Sequence, residues 1–186
     1  MDLRVWADEL AAGWLGVHLP RRWRHVQGVY ERSRVADRLF STGDADLLAA
    51  AGLVHDLGYA PELAVTGLHA LDGARYLREV GAPERLCALV AHHSAAHLEA
   101  ELRGMADELV DWNDERTPLR DALWWADMTT SPDGEVVTFE ERAAEIQQRY
   151  GPDDVVSTFI QAARPELAAA VGRTEAQLRA AGIDYV

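Results

Sequence analysis

The sequence predicts an all-α protein that folds as one compact helical bundle. Through most of its 186 residues, apolar side chains recur at the three- and four-residue spacing of amphipathic helices, which favours helix over strand. Proline and glycine interrupt this pattern at short intervals, as at residues 81–83 and 151–153, which is typical of helix ends and turns. The one strand-like stretch, residues 135–138, is too short for a sheet. A chain of this length with 48% hydrophobic residues suits a single domain over residues 1–186.

Four helices are expected in the first half of the chain. The first has a ragged apolar face and ends before Pro20, and the second runs from about residue 22 to residue 40. Residues 41–44 form a turn that supplies an N-cap for a third helix, which covers about residues 46–58 and ends at a glycine. After a short loop, a fourth helix covers about residues 69–80.

Four further helices are expected in the second half. Pro83 opens the first of them, because proline is favoured in the first helical turn, and this helix reaches the His92-His93 pair. The next helix covers about residues 119–129. Two C-terminal helices, over about residues 139–150 and 165–181, complete the bundle, and we expect them to pack on the part of the chain that precedes them.

The composition excludes several classes of protein. A net charge of −13 argues against a binder of nucleic-acid polymers, which would present a basic surface. All eighteen basic residues are arginine, so neither Schiff-base chemistry nor a P-loop lysine is available. The single cysteine, Cys87, rules out an internal disulfide; it fits a reducing cytoplasm, and we expect it to be a small buried hydrophobe. The sequence contains neither a long apolar run nor a secretory signal, so no membrane association is expected.

The most informative motif is His55-Asp56, which ends the apolar run of residues 47–54. Two adjacent ionisable groups at a buried helix end cost several kcal/mol unless they have a partner. A divalent metal ion is the natural partner, since imidazole and carboxylate groups both ligate Zn²⁺, Fe²⁺ and Mn²⁺. Other histidines and aspartates also fall at helix ends or in core-facing positions; they are His25, His69, His92, His93 and Asp127. A helical bundle can direct such side chains to one point, so the sequence predicts a metal site.

The order of these residues resembles that of the HD superfamily of metal-dependent phosphohydrolases. His55-Asp56-Leu57-Gly58 is similar to the His-Asp-Ile-Gly form of that family, and the resemblance covers a metal-binding core of about residues 24–128. It implies that one ion is held by four residues: His25, His55, Asp56 and Asp127. The additional histidines are similar to those of the two-metal branch, in which the aspartate of the pair bridges both ions. The second ion would then be held by Asp56, His69 and either His93 or His92, and the metal would be Fe, Mn, Co, Ni or Zn.

The resemblance implies hydrolysis of a phosphomonoester or phosphodiester in a small nucleotide-like substrate by a metal-activated hydroxide. The chain departs from the cyclic-dinucleotide phosphodiesterases of this branch, because it has no lysine after the pair and has Ser94-Ala95-Ala96 where they have Gly-Tyr-Pro. The alternative is an HD-type mixed-valent di-iron oxygenase that acts on a phosphonate or a similar small molecule. The phosphonate members carry a tyrosine before the first histidine ligand, whereas this chain has no tyrosine before Tyr30.

Several other residues are candidates for the reaction. Besides Asp56, we predict catalytic roles for Arg24, which is adjacent to His25, and for Glu62, in the loop after the pair. Arg75 is a second candidate for contact with a phosphate, and Tyr59 for contact with the substrate; for the two arginines the alternative is an exposed salt bridge. Three tryptophans are expected to pack in the core, with stacking on a base as the alternative: Trp112, Trp124 and Trp125. The sequence leaves the oligomeric state open.

Overall fold

The computed structural model describes residues 2–185, and within that range it is helical and contains no β-strand. The prediction of an all-α fold is therefore confirmed. The α-helices are α1 (Leu3–Ala11), α2 (Pro20–Val35), α3 (Thr42–Val54), α4 (His69–Glu79), α5 (Glu84–Ala91), α6 (Ala96–Leu102), α7 (Pro118–Met128), α8 (Phe139–Tyr150) and α9 (Val155–Ala180). Short 3₁₀ and π turns join several of them. The stretch at residues 135–138 forms only an isolated bridge between Val136 and Thr130.

Local capping residues explain where two of the helices begin. The Ser41 hydroxyl accepts a hydrogen bond from the backbone N–H of Asp44, so α3 begins at Thr42, a turn earlier than predicted. Thr138 and Glu141 form a reciprocal capping box, which places the start of α8 at Phe139 as predicted. Both cases show side-chain oxygens satisfying the free N–H groups of a first helical turn.

Other helix boundaries also differ from the sequence prediction, and α3 ends at Val54 rather than at Gly58. Helix α2 ends at Val35 rather than near residue 40, because the chain tightens into a 3₁₀ turn over Asp37–Leu39. Helix α9 begins at Val155, where Asp154 caps it, and Pro165 lies inside the helix instead of starting it. A proline inside a helix removes one backbone hydrogen bond. The buried side chains of Ile160 and Leu167 flank Pro165, and their packing keeps the helix continuous.

The core is built around α3 and α7. From Leu47 to Val54 every residue of α3 is buried, and the helix contacts α1, α2, α5 and α7, as expected of a helix surrounded by others. Every residue of α7 from Leu119 to Met128 is buried, and α7 packs against α3, α8 and α9. Trp112, Trp124 and Trp125 are buried, and so is Cys87, so these residues pack in the core as expected. None of the described helices combines the length and the apolar character needed to cross a bilayer.

Two glycines allow the close contacts that position the site. A Cβ atom on Gly58 would lie 2.0 Å from the carbonyl oxygen of His69, so the turn after α3 touches the first residue of α4. A Cβ atom on Gly28 would lie 2.5 Å from the carbonyl oxygen of Gly134, so the segment after α7 rests directly on α2. The first contact brings His69 next to Asp56. The second brings the backbone of Ser131 next to His25.

The C-terminal helices α8 and α9 cover the outer side of α7, and α9 also contacts α6. Arg142 on α8 and Ile160 on α9 line the same cavity as the histidines of the earlier helices. These contacts support the proposal that the chain is one domain, with a core of about residues 24–128 on which the C-terminal helices pack.

Candidate metal centre

His55 and Asp56 occupy the point at which α3 ends. His55 is the C-cap residue, and Asp56 leads into a 3₁₀ turn over Leu57–Tyr59, so both side chains point into the bundle and are buried. The Nδ1 atom of His55 lies 2.9 Å from the carbonyl oxygen of Gly52. Because a carbonyl only accepts, Nδ1 donates this hydrogen bond, and Nε2 is the ring nitrogen left to bind a metal ion. This Nε2 atom is buried and has no hydrogen-bond partner.

His25 and His93 are oriented in the same way. The Nδ1 atom of His25 lies 3.0 Å from the carbonyl oxygen of Ser131, and Nδ1 of His93 lies 2.6 Å from that of Val90. In each ring Nδ1 therefore donates to a backbone carbonyl, and Nε2 faces the centre of the site, where that of His25 lies 3.1 Å from Oδ1 of Asp127. Histidines that ligate metals are usually held by such a hydrogen bond from the second ring nitrogen. The backbone carbonyls thus leave Nε2 of each ring as the nitrogen that can bind a metal ion.

The first group of donor atoms comes from α2, α3 and α7. Nε2 of His25 lies 3.1 Å from Oδ1 of Asp127 and 3.7 Å from Oδ2 of Asp56. Nε2 of His55 lies 3.5 Å from the same Asp56 oxygen and 3.9 Å from the same Asp127 oxygen. Ligands that bind one ion at about 2.0–2.2 Å stand roughly 3–4 Å apart. The donor atoms of His25, His55 and Asp56 therefore lie close enough together to hold one divalent ion, and Asp127 contacts both histidines beside them.

The second group shares Asp56 with the first. Nε2 of His69 lies 3.5 Å, and Nε2 of His93 lies 3.9 Å, from Oδ1 of Asp56. The two Nε2 atoms are 3.0 Å apart. Two imidazole lone pairs at this distance need a proton or a metal ion between them. Asp56 thus presents Oδ2 to His25 and His55, and Oδ1 to His69 and His93, as a carboxylate that bridges two ions would.

The electrostatics favour the protonation states that metal ligands need. Burial alone raises the pKa of Asp56, but Arg22 and the surrounding histidines outweigh it and hold this pKa well below its ordinary value. Burial also raises the pKa of Asp127, but this effect is outweighed. The hydrogen bond with His25 lowers the pKa of Asp127 below its ordinary value. Burial lowers the pKa of His69 and of His93, and the neighbouring histidines lower both further. At neutral pH the carboxylates are ionised and these two rings are neutral.

Three predicted residues lie outside both donor groups. The Nε2 atom of His92 donates to the carbonyl oxygen of Trp112 at 2.9 Å, because consecutive residues at the end of α5 point in different directions. His92 therefore lies outside the group of candidate ligands, and that group includes His93. Arg24 lies on the exposed face of α2 and pairs with Asp133 at 2.9 Å. Glu62 is exposed in the loop after the pair and lines none of the cavities around the site.

Arg75 is also remote from the donor groups. Its guanidinium is exposed and pairs with Glu108 at the surface. This outcome corresponds to the alternative that we gave for the arginines, an exposed salt bridge of small energetic weight.

Arg22 was missed by the sequence analysis. Its guanidinium donates to Oδ2 of Asp56 at 2.7 Å and stacks on the ring of Tyr59, with 3.9 Å from Cζ to the ring centroid. The same ring of Tyr59 stacks on His69 at 4.1 Å. Arg22 precedes His25 by three residues, and side chains at that spacing share a helix face. This spacing could have identified Arg22 in place of Arg24.

Ser94 and Arg142 complete the surroundings of Asp127. The Ser94 hydroxyl donates to Oδ2 of Asp127, and the Arg142 guanidinium lies 3.9 Å from Oδ1. Ser94 has φ 47°, and Ala95 has φ 61°, a left-handed turn that residues with a Cβ rarely adopt. Such strain concentrates at functional sites. No local pattern could have identified Arg142, because it reaches the site from α8.

A cavity of about 60 Å³ opens onto the donor atoms. One side is formed by Asp56, His69, His93, Ser94 and Asp127. The rest of the lining combines basic groups with apolar side chains of α8 and α9; its members include Arg22, Arg142, Arg149, Ile146, Phe159 and Ile160. The site therefore joins a cluster of metal-type donors to arginines that can pair with an anion.

Comparison with known proteins adds a family assignment. A family model described as HD domain matches residues 22–126, more than half of the chain. The matched region contains His25, His55, Asp56, His69 and His93 and ends one residue before Asp127. No curated protein and no solved structure matches the chain.

Proposed function

This chain belongs to the HD domain family, and on that premise we propose that it is a metal-dependent phosphohydrolase that cleaves a phosphomonoester or phosphodiester of a nucleotide-like small molecule. The observation that carries the proposal is the position of Asp56 between two pairs of histidines, with one carboxylate oxygen near each pair. An orphaned buried nitrogen on His55 adds to the fit. We assign His25, His55, Asp56 and Asp127 to one ion, and Asp56, His69 and His93 to a second.

Divalent ions held by these residues would supply Lewis acidity, which activates water and neutralises charge on phosphoryl oxygens. The identity of the ions is part of the proposal: a histidine-rich set of this kind accepts Fe, Mn, Co, Ni or Zn.

The surrounding side chains would bind and orient the phosphate. Arg22, Arg142 and Arg149 line the cavity above the donor atoms. Because the chain contains no lysine, arginine must supply the cationic contacts, and its planar fork suits phosphoryl oxygens. The buried ring of His55 and the apolar side chains of α8 and α9 keep bulk water away, which strengthens the charged interactions inside.

Asp127 would be oriented by its neighbours rather than act alone. His25 contacts one of its oxygens and Ser94 donates to the other, so the carboxylate is fixed in one rotamer. A fixed carboxylate loses less conformational entropy when it binds an ion. We also retain the cytoplasm as the proposed location and a small phosphorylated molecule, rather than a polymer, as the proposed partner.

Turnover of a panel of nucleotides and simple phosphoesters, with Mn²⁺, Co²⁺ or Fe²⁺ added to the purified protein, tests the proposal. We expect release of phosphate or of a nucleoside monophosphate that depends on metal and is lost in His55→Ala. His97→Gln is the matched control, because His97 pairs with Glu166 outside the site. Metal binding without turnover of any phosphoester would overturn the proposal. Oxygen consumption with a phosphonate and reduced iron would point to the oxygenase instead.

A further inference from the structure

We propose that the substrate carries a second anionic group, which binds in a basic cleft beside the metal centre. The basic cleft has a volume of about 280 Å³, and its ionisable lining residues are His18, Arg21, Arg22, His25 and Arg149. Its remaining walls are Leu19, Pro20 and Pro132. The inference rests on the proposed function, because it extends the same site and names the class of substrate: a phosphoester with a further phosphate or carboxylate.

The first reason is the small size of the metal-side cavity, which is the cavity described above that opens onto the donor atoms. At about 60 Å³, this cavity is far below the roughly 300–1,000 Å³ of typical ligand pockets. It has room for a phosphoryl group but not for the rest of a nucleotide-like molecule. The remainder of the substrate must therefore occupy an adjoining space.

The basic cleft adjoins that cavity directly. Arg22 and Arg149 line both spaces, so the two guanidinium groups stand at the boundary between them. His25 lines the cleft while its Nε2 atom faces Asp127. A ligand that reaches from the donor atoms past Arg22 would enter the cleft.

The charge of the cleft gives the second reason. Every ionisable residue that lines it is basic, although the chain has 31 acidic residues against 18 basic ones. A cleft of one sign attracts ligands of the opposite sign even when the net charge of the protein would repel them. The metal-side cavity differs, since carboxylates line it as well. The cleft is thus suited to an anionic group that does not contact the ions.

Two of the three arginines of the cleft, Arg21 and Arg149, interact only weakly with other side chains, whereas Arg22 is bound to Asp56. Arg21 pairs with Asp133 at 3.1 Å, but both side chains are about half exposed, and such pairs contribute little. Arg149 lies 3.6 Å from Glu145, beyond hydrogen-bond distance. Both guanidinium groups can therefore turn to a bound oxyanion at small cost. Arg24 offers a matched control, because it pairs with the same Asp133 and lines neither space.

Binding of three phosphonates to the Mn²⁺-loaded full chain, measured by calorimetry, tests the inference without turnover. Methylphosphonate has one anionic group, phosphonoacetate adds a carboxylate, and methylenediphosphonate adds a second phosphonate. We expect at least one of the two larger probes to bind about tenfold more tightly than methylphosphonate. The better probe identifies the second group as carboxylate or phosphonate. Equal affinity for all three probes would overturn the inference.

Two substitutions separate the basic cleft from chelation by the metal ions. Arg21→Gln should weaken binding of the larger probe by at least about threefold and leave the affinity for methylphosphonate unchanged. Arg24→Gln should change neither affinity. Asp133→Asn should strengthen binding of the larger probe, because it frees Arg21 for the ligand. A preference for the larger probe that persists in full in Arg21→Gln would come from chelation and would overturn the inference. Since phosphonates are not hydrolysed, absence of phosphohydrolase activity would contradict the proposed function and not this binding site.

Discussion

The guanidinium of Arg22 donates a 2.7 Å hydrogen bond to Oδ2 of Asp56, the carboxylate oxygen that faces His25 and His55. A cationic side chain thus occupies one of the positions from which a metal ion would contact this carboxylate. Both Arg22 and a divalent ion stabilise the ionised form of Asp56, and each repels the other. Arg22 and an ion held by the first donor group would therefore compete for Asp56.

Arg22→Gln should increase the affinity of the protein for Mn²⁺. Removal of a positive charge beside the first donor group lowers the repulsion of the ion, and we expect binding at least about tenfold tighter by calorimetry. The affinity for inorganic phosphate should fall in the same variant. Arg24→Gln, which removes a charge of the same sign on the exposed face of α2, should change neither value. Weaker metal binding in Arg22→Gln would show that Arg22 only supports the structure.

The number of bound ions should depend on which histidine is removed. We expect two ions per chain in the unmodified protein and one in His69→Ala or His93→Ala, because these residues belong to the second donor group only. Asp56→Asn should lose both ions. Elemental analysis of the purified, metal-loaded proteins gives the stoichiometry.

His92→Gln is the control for that measurement. The substitution is adjacent to His93 in the sequence but removes no donor atom of either group, since the His92 side chain bonds to the Trp112 carbonyl. Both ions should remain. Loss of an ion in this variant, with a normal circular-dichroism spectrum, would return His92 to the ligand set.

Gly58→Ala should destabilise the fold and remove the second ion. A Cβ atom there would lie 2.0 Å from the carbonyl oxygen of His69, so α4 would have to move away from Asp56. We expect a loss of about 2–3 kcal/mol in the free energy of unfolding in urea. Gly172→Ala is the matched control: Gly172 lies inside α9 with nothing within 4 Å of a Cβ atom, so stability should rise by up to about 1 kcal/mol.

Asp114 should contribute to stability in a manner that depends on pH. Burial raises its pKa, but the Arg120 guanidinium at 2.7 Å outweighs burial, and the pKa in the folded protein is lower than its ordinary value. His92 and Arg116 also face this carboxyl and lower the pKa further. A lowered pKa means that the stabilisation is present above the unfolded pKa of about 3.9 and is lost as the pH falls through the folded value.

Asp114→Asn should therefore cost about 1–3 kcal/mol in the free energy of unfolding at pH 6. The difference from the unmodified protein should shrink below about pH 4. Urea denaturation between pH 2 and pH 7 measures both quantities, with the exposed Asp153→Asn as the control. A difference that stays constant across this range would mean that the charge of Asp114 plays no part.

Much of the fold follows from local patterns in the sequence. The end of α4 and the whole of α8 agree with prediction to within a residue, because a capping box and Gly81 mark them in the sequence. Helix α9 does not agree, because Pro165 is a local stop that packing overrides. The histidines and aspartates could also be identified from a local pattern. Ionisable residues that stand next to each other or at regular positions in apolar runs are unusual without a partner.

The sequence by itself determined that the protein is helical and that a set of histidines and aspartates occupies helix ends or core-facing positions, because helix periodicity and capping act over a few residues. Only the tertiary structure decided which of them converge. The tertiary structure places His93 and Arg22 at the site and turns His92 and Arg24 away from it. A shift of one or two residues along a helix turns a side chain to another face. It also brings Arg142 to Asp127 from a helix that begins eleven residues after α7 ends. Such contacts depend on how helices pack, which no local pattern specifies.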